Sequence, residues 1–290
     1  MSILVTGAGG GIGQAIARDR AIVPLPRRDK GGPWWEPLEG RVHLPEEQPV
    51  QALVHLAGEP IAGQRWTPER KRLMRESRTL GTRTLVDWMA RREQRPQVLV
   101  GASAVGIYGS RGDEELPEEA GVGQGFLAEL VRDWEAEALR AEELGVRVVC
   151  LRIGIVLDTD SGALAEMLGP AKWGLGGPLG SGQQWLPWIH VQDVVRAFLW
   201  ALDTPAARGS YNLAAPQVVR QKELASTLGQ VLGRPAFLPA PMFALRLAFG
   251  EFADEALTAS QRTTPRRLLE EGFAFEHPEL EPALRNLLGR

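Results

Sequence analysis

The chain of 290 residues has little of the residues that make covalent or metal-bound scaffolds. A single cysteine, Cys150, excludes an internal disulfide. It lies inside the apolar run 146–153 and reads as a buried strand residue rather than a nucleophile. There are four histidines and no two are spaced as a ligand pair, which argues against a metal site. No apolar run approaches the roughly 18 residues of a membrane span. A formal net charge of −3 offers no electrostatic case for nucleic acid. The first strand begins at once, leaving no room for a leader segment, so a cytoplasmic protein is expected. Tyrosine is scarce too: only Tyr108 and Tyr211 are present.

Glycine, by contrast, is plentiful, and its placement at the start organises the rest. Residues 3–6 form a short apolar strand that runs into Thr6-Gly7-x-x-Gly10-Gly11-Ile12-Gly13, after which Ala15, Ile16 and Ala17 suit a helix. Strand, glycine turn and helix are what a dinucleotide pyrophosphate needs: one glycine for the tight turn, one for close approach of backbone to phosphate, one for helix–strand packing. The helix start adds unpaired N–H groups and a partial positive charge. The next strand, 21–25, is followed by Pro26-Arg27-Arg28-Asp29. An acid at this distance would hold a ribose 2′-hydroxyl. Arg27 and Arg28 instead suit a 2′-phosphate, so NADP is expected over NAD, with Asp29 the residue that keeps NAD in play.

Residues 30–50 are rich in proline and glycine and are expected to hold little regular structure. Strand 52–56 ends in Leu56-Ala57-Gly58, a wall for the adenine and ribose, with Glu59 just beyond. Thr67-Pro68 starts a helix to about residue 92, with Thr67 as cap and Pro68 in the first turn. Its arginines read as a solvated face. A strand from 98 carries Ala102 and enters a small-residue loop with Ser103 and Tyr108. Residues 124–143 form a helix and 146–153 a further buried strand. Strands alternating with helices predict an α/β fold with a doubly wound parallel sheet, a Rossmann fold. The expected nucleotide domain is 1–160 with 189–214. Residues 161–188 and 215–290 form a small, mixed, mostly helical C-terminal lobe. Residues 174–190 read as a long functional loop holding Gln184, Trp185 and His190. Asp193 is expected to cap helix 194–202, residues 211–213 to form a strand, and short extended pieces to lie near Phe237 and Phe273.

The landmarks Thr6-Gly-x-x-Gly-x-x-Gly13, His55-Leu-Ala-Gly58, Ser103-Ala-Val-Gly-Ile-Tyr108-Gly, Leu151-Arg-Ile-Gly154 and Trp188-Ile-His-Val-Gln-Asp193-Val together resemble the extended short-chain dehydrogenase/reductase superfamily, the NAD-dependent epimerase/dehydratase type. The phrases Ala57–Trp66, Gly176–Trp185, Ser260-Gln-Arg262 and Pro265-x-x-Leu-x-x-x-Gly-Phe273 are similar to an atypical branch, the "epimerase family protein" type with a C-terminal domain of unknown function. That resemblance implies an oxidoreductase or epimerase acting on a small sugar-like or carbonyl substrate. It also implies a serine and a Tyr-x-x-x-Lys pair for proton exchange, yet no Tyr-x-x-x-Lys occurs here. Phe126 stands at the tyrosine position and Leu130 at the lysine position. Ser103 matches the superfamily serine and Tyr108 is the remaining catalytic candidate, each with a purely structural alternative. Glu59, Arg65, Trp66, Gln184, Trp185 and His190 are candidates for the substrate side. A non-catalytic NADP(H)-binding sensor or scaffold is the alternative function. A homodimer through helices 67–92 and 124–143, with Leu130 and Trp134 on the shared face, is the expected assembly.

Overall fold

The computed structural model describes residues 1–28 and 31–290. Strand β1 (Ile3–Thr6) leads through the glycine turn into the short helix α1 (Gly11–Asp19) and strand β2 (Ile22–Leu25). Here the chain departs from expectation. Instead of irregular coil, a small antiparallel hairpin follows, β3 (Trp34–Glu36) and β4 (Arg41–His43). Its cross-strand pair Trp34–His43 stacks with ring centroids 3.8 Å apart. Aromatic pairing across a hairpin stabilises it despite flanking prolines.

Strand β5 (Ala52–His55) and helix α2 (Pro68–Arg91) come next, the Thr67 hydroxyl accepting from Arg70 N at 3.1 Å as an N-cap should. Strand β6 (Val98–Ala104), a short β7 (Glu115–Leu116), helix α3 (Phe126–Leu139) and strand β8 (Arg147–Ile153) complete this half. Then follow β9 (Ile155–Leu157), α4 (Gly162–Lys172), β10 (Trp185–Leu186), β11 (Trp188–His190), α5 (Val191–Asp203) and β12 (Gly209–Leu213). The C-terminal part holds β13 (Val219–Arg220), α6 (Gln221–Leu232), α7 (Met242–Phe249), β14 (Arg262–Thr263), α8 (Arg266–Glu270) and α9 (Leu280–Leu288). A single π-turn spans Ala253–Leu257.

The central sheet is parallel, in the order β12-β8-β6-β5-β1-β2. Strand alternation sorts its side chains: Ile3, Val5, Val54 and Val100 meet α1 and α5, while Leu4, Leu53 and Leu99 meet Leu85 of α2 and Trp35 of the hairpin. Both faces are covered, which is why these strands read as unbroken apolar runs. Strand β2 is an edge strand, and Pro24 within it has no ladder bond to lose. The first glycine motif is steric. Gly7 has φ +70°, and a Cβ there would lie 2.8 Å from Leu56 C. A Cβ on Gly13 would lie 2.6 Å from Ala8 Cα.

Three expectations are corrected. Helix α5 begins at Val191 and is capped by His190, whose Nδ1 accepts from Gln192 N at 3.0 Å, not by Asp193. Asp193 is fully buried and its carboxylate accepts from Glu276 N (2.7 Å) and His277 N (2.9 Å), pinning the C-terminal tail. Residues 174–190 are not a free loop, since they contain β10 and β11, and Leu179 bridges to Ala240. Near Phe237 the extended piece is the single bridge of Ala240 to Leu179, no strand forms near Phe273, and the strands of the C-terminal part are β13 and β14.

Candidate functional site

A cleft of about 660 Å³ opens at the C-terminal ends of β1, β2 and β5. Its lining combines the glycine turn 7–10, the Pro24–Arg27 strand end and the Leu56–Gly58 wall. Ser77 of α2 and Pro33, Trp35 and Pro37 of the hairpin region close it. The hairpin therefore forms one wall of the cleft. Helix α1 has no side-chain cap on its first turn, so its N–H groups and partial positive charge face the turn. Gly10 N donates to Gly7 O at 3.0 Å and the Gln14 side chain to Gly9 O at 2.8 Å, which holds the turn in shape. Volume, apolar walls, backbone donors and the Arg27 guanidinium in the lining fit a dinucleotide.

Gly7, Gly10, Arg27, Leu56, Ala57 and Gly58 of the expected cofactor residues line this cleft. Gly11 faces a neighbouring polar cavity, Ile12 packs on the core, Gly13 is buried against Ala8, and Ala102 packs on the core from β6. Arg28 is exposed and outside the lining, and Asp29 lies outside the described residues. Thr6 is fully buried beneath the floor. Its Oγ1 lies 2.6 Å from His55 Nδ1 and accepts from Leu56 N (3.3 Å) and Ala57 N (3.4 Å), tying the ends of β1 and β5 together. His55 completes the strap with Thr82 Oγ1 at 3.1 Å. Burial, with Arg78 adding to it, pushes the His55 pKa down to about 3, so the ring is neutral at physiological pH. Arg78 itself lies against Gly58, its Cζ 3.2 Å from where a Cβ would stand.

The two catalytic candidates meet elsewhere. Ser103 Oγ donates to Glu135 Oε1 at 2.5 Å. Glu135 is paired with Arg152 through Nε–Oε1 and Nη2–Oε2 bonds of 2.9 Å each, and Ser210 Oγ donates to Oε2 at 3.1 Å. Arg152 Nη1 donates to Tyr108 Oη at 2.8 Å, and Tyr108 donates to Asn212 Oδ1 at 2.7 Å. Asn212 Nδ2 then donates to Leu116 O and Thr264 O. Every side chain of this chain of bonds but Ser210 is buried. Burial raises the Tyr108 pKa above its usual value against the opposing pull of Arg152, which keeps the phenol protonated. A poised base would need the reverse. Nothing in the spacing of Glu135 and Arg152 announced them, since the pair forms only when α3 lies over β8.

Substrate-side candidates divide in the same way. Glu59 accepts from Arg70 Nη1 at 2.5 Å. Arg65 is exposed and lies beside Gly250. Trp66 is buried edge-on against Phe126 and Phe252, its Nε1 donating to Ile61 O at 2.7 Å. Gln184 donates to Leu179 O and Leu257 O. Trp185 donates to Asp113 at 2.7 Å and is sandwiched between Arg220 and Arg262. Gln184 lines a separate cleft of about 700 Å³ with Asp113, Ser181 and Arg220. His190 caps α5 and stacks on His277 at 3.8 Å. Beside Phe126, where the superfamily has its tyrosine, the Glu255 carboxylate accepts from Phe126 N (3.3 Å) and Leu127 N (3.2 Å).

A doubly wound parallel sheet with a nucleotide-shaped cleft at its first crossover defines a Rossmann-type dinucleotide-binding fold. The comparisons place the chain within that class. Residues 38–214 match the NAD dependent epimerase/dehydratase family, and residues 240–287 match a domain of unknown function (DUF1731). The epimerase family protein SDR39U1 homolog, chloroplastic, of Arabidopsis thaliana is 40% identical over 304 residues, covering 99% of this chain and 87% of that protein. The crystal structure of the human epimerase family protein SDR39U1 with NADPH superposes with a TM-score of 0.92 at 34% identity, covering 100% of both chains. A nucleoside-diphosphate sugar epimerase from Corynebacterium glutamicum gives a TM-score of 0.80 at 30% identity, over 100% of this chain and 58% of that one. This protein belongs to the NAD-dependent epimerase/dehydratase family, in the atypical short-chain dehydrogenase/reductase branch that carries this C-terminal domain.

Proposed function

We propose that the protein binds NADP(H) in the 660 Å³ cleft and acts as an oxidoreductase or epimerase on a small polar, sugar-like or carbonyl substrate. The observation that carries the cofactor reading is that Arg27, just past the end of β2, lines the same cleft as the glycine turn, where a 2′-phosphate would need a guanidinium. The human relative solved with NADPH supports it. Bound NADPH would supply hydride. The chain's own part is to seat the pyrophosphate on the α1 N-terminus, hold the adenosine between the hairpin and the Leu56–Gly58 wall, and clamp the 2′-phosphate with Arg27.

A second reading is favoured by one observation. Ser103 and Tyr108 are both committed to the buried Glu135–Arg152 network, and Phe126 has no ionisable proton. A protein that binds NADP(H) as a sensor or scaffold needs no such proton donor. Intrinsic tryptophan fluorescence tests the cofactor reading that both share, since Trp35 lines the cleft. Micromolar NADPH binding with much weaker NADH binding is the expected result, and no binding of either refutes the cofactor reading. With binding established, NADPH oxidation across a carbonyl and sugar-nucleotide panel supports the enzyme. A loaded protein inert to the whole panel supports the sensor.

A further inference from the structure

The expected dimer face is closed within one chain. Leu130 and Trp134 are 1% and 6% exposed, packed beneath α2. The outer surfaces of α2 and α3 are laced by ion pairs of Arg75 with Glu129 and Asp133, Arg83 with Glu137, and Arg140 with Asp87. Such a face offers little apolar area to a second chain. The C-terminal lobe is the opposite case. Residues 177–180 run beside 238–240, joined by Gly180 N to Ala240 O and Ala240 N to Pro178 O. Gly174 abuts Pro235, and α7 follows directly. On this surface stand Trp173 (83% exposed), Leu175, Phe237, Leu238, Phe243, Leu247 and Phe249. Phe243 and Leu247 are one turn apart on the outer side of α7, while Leu245 on the other side is buried.

At roughly 150–250 Å² for an aromatic side chain, these seven expose on the order of 1,000 Å². Monomer surfaces rarely carry an apolar patch above about 300–600 Å², and a stable pairing buries about 800 Å² per partner. The segments 173–180 and 235–249 contain one charged residue, Arg246, which is paired with Asp254 at 2.9 Å, while the exposed Lys172 and Arg234 stand at their rim. With its charges confined to the rim, the centre of the face offers a strongly charged partner little to complement. It can meet its own copy without opposing like charges. We propose that the surface formed by α7 and the paired segments 173–180 and 235–240 binds a second copy of this chain as a two-fold, isologous dimer. Pro239, Pro241 and Met242 of the same region line the 700 Å³ cleft, so the proposed interface adjoins that cleft. The inference does not rest on the cofactor reading.

Sedimentation velocity on the full chain tests it. The wild type is expected to be a dimer at micromolar concentration. Phe243→Glu/Leu247→Glu, both at exposed positions, is expected to weaken the dimer about 100-fold or more, the loss that two anchor residues carry. Trp173→Glu, at the other end of the face, gives a second and independent reading should α7 not tolerate two charges. Arg75→Glu/Arg83→Glu on the ion-paired face is expected to leave the dimer intact. A monomeric wild type, or a dimer dissolved by the arginine changes and not by the apolar ones, overturns the proposal. So does flotation of a monomeric wild type with phosphatidylcholine/phosphatidylglycerol vesicles that the α7 changes abolish. NADPH titration of the same variants keeps a failure here separate from a failure of the cleft.

Discussion

Replacing Glu135 with leucine removes the carboxylate from a buried arginine. The pair is enclosed, with side-chain exposures of 10% for Arg152 and 7% for Glu135. In the variant Arg152 keeps only Tyr108 Oη and Glu118 O as acceptors, neither of them charged. An arginine cannot shed its proton to escape, so the uncompensated charge costs about 3–5 kcal/mol. Unfolding entropy for a chain of 290 residues is about 0.6 kcal/mol/K, so Tm falls by about 5–8 °C. Arg152→Met is expected to cost less, about 1–3 kcal/mol, because Glu135 keeps the hydroxyls of Ser103 and Ser210 as hydrogen-bond donors. Glu135→Leu/Arg152→Met removes both charges and is expected to recover most of the loss, which a double-mutant cycle by calorimetry measures. Two results refute the reasoning. One is a Glu135→Leu loss below about 1 kcal/mol. The other is additivity of the two single losses in the double variant. NADPH affinity is expected to hold across the series, since none of these residues lines the nucleotide cleft.

Other consequences can be checked as directly. Arg27→Ala is expected to weaken NADPH about 10- to 100-fold, the value of a charge-assisted phosphate contact, and to leave NADH unchanged, whereas Arg28→Ala does little; fluorescence titration decides. Gly13→Ala forces a Cβ to within 2.6 Å of Ala8 Cα, so nucleotide binding should be lost together with several degrees of Tm. His55 has its pKa lowered from 6.5 to about 3, so the stability of its neutral form is fully present above 6.5 and is lost as pH falls between those values. Its share is up to about 1.4 kcal/mol per pH unit in that window, and His55→Gln should flatten the acid limb of urea-unfolding midpoints. Asp193→Ala strands the Glu276 and His277 amides and is expected to cost about 2–4 kcal/mol, read out as faster hydrogen exchange at those two amides.

What could be read beforehand was whatever local chemistry determines. The glycine turn, the Thr67 cap with Pro68 behind it, and the apolar strands each follow from a few adjacent residues. The parallel, doubly wound sheet comes with them, but not the order of its six strands, which is set by which strands meet in space. The hairpin wall was hidden because prolines mask it, and its stability comes from the Trp34–His43 stack and from Trp35 packing on the sheet. Asp193 has the residue type and place of a cap, but the tail reached it first. Ser103 and Tyr108 carry the right functional groups in the right order. Their role is set by Glu135 and Arg152, which lie 32 and 44 residues away from them in the chain.

The Glu255 cap on α3 has a consequence for how the chain comes into being. Helix α3 waits for a carboxylate that lies 129 residues further on, β7 waits for β14, and α5 waits for the amides of residues 276 and 277. During synthesis the nucleotide-binding half therefore leaves the ribosome with a bare helix end and unmatched buried acceptors. Contacts of such sequence separation close late and slowly. The segment matched only as a domain of unknown function is, in these terms, the last part of the Rossmann unit to arrive. A protein truncated before residue 240 should be a substrate for proteases and chaperones rather than a minimal nucleotide-binding domain.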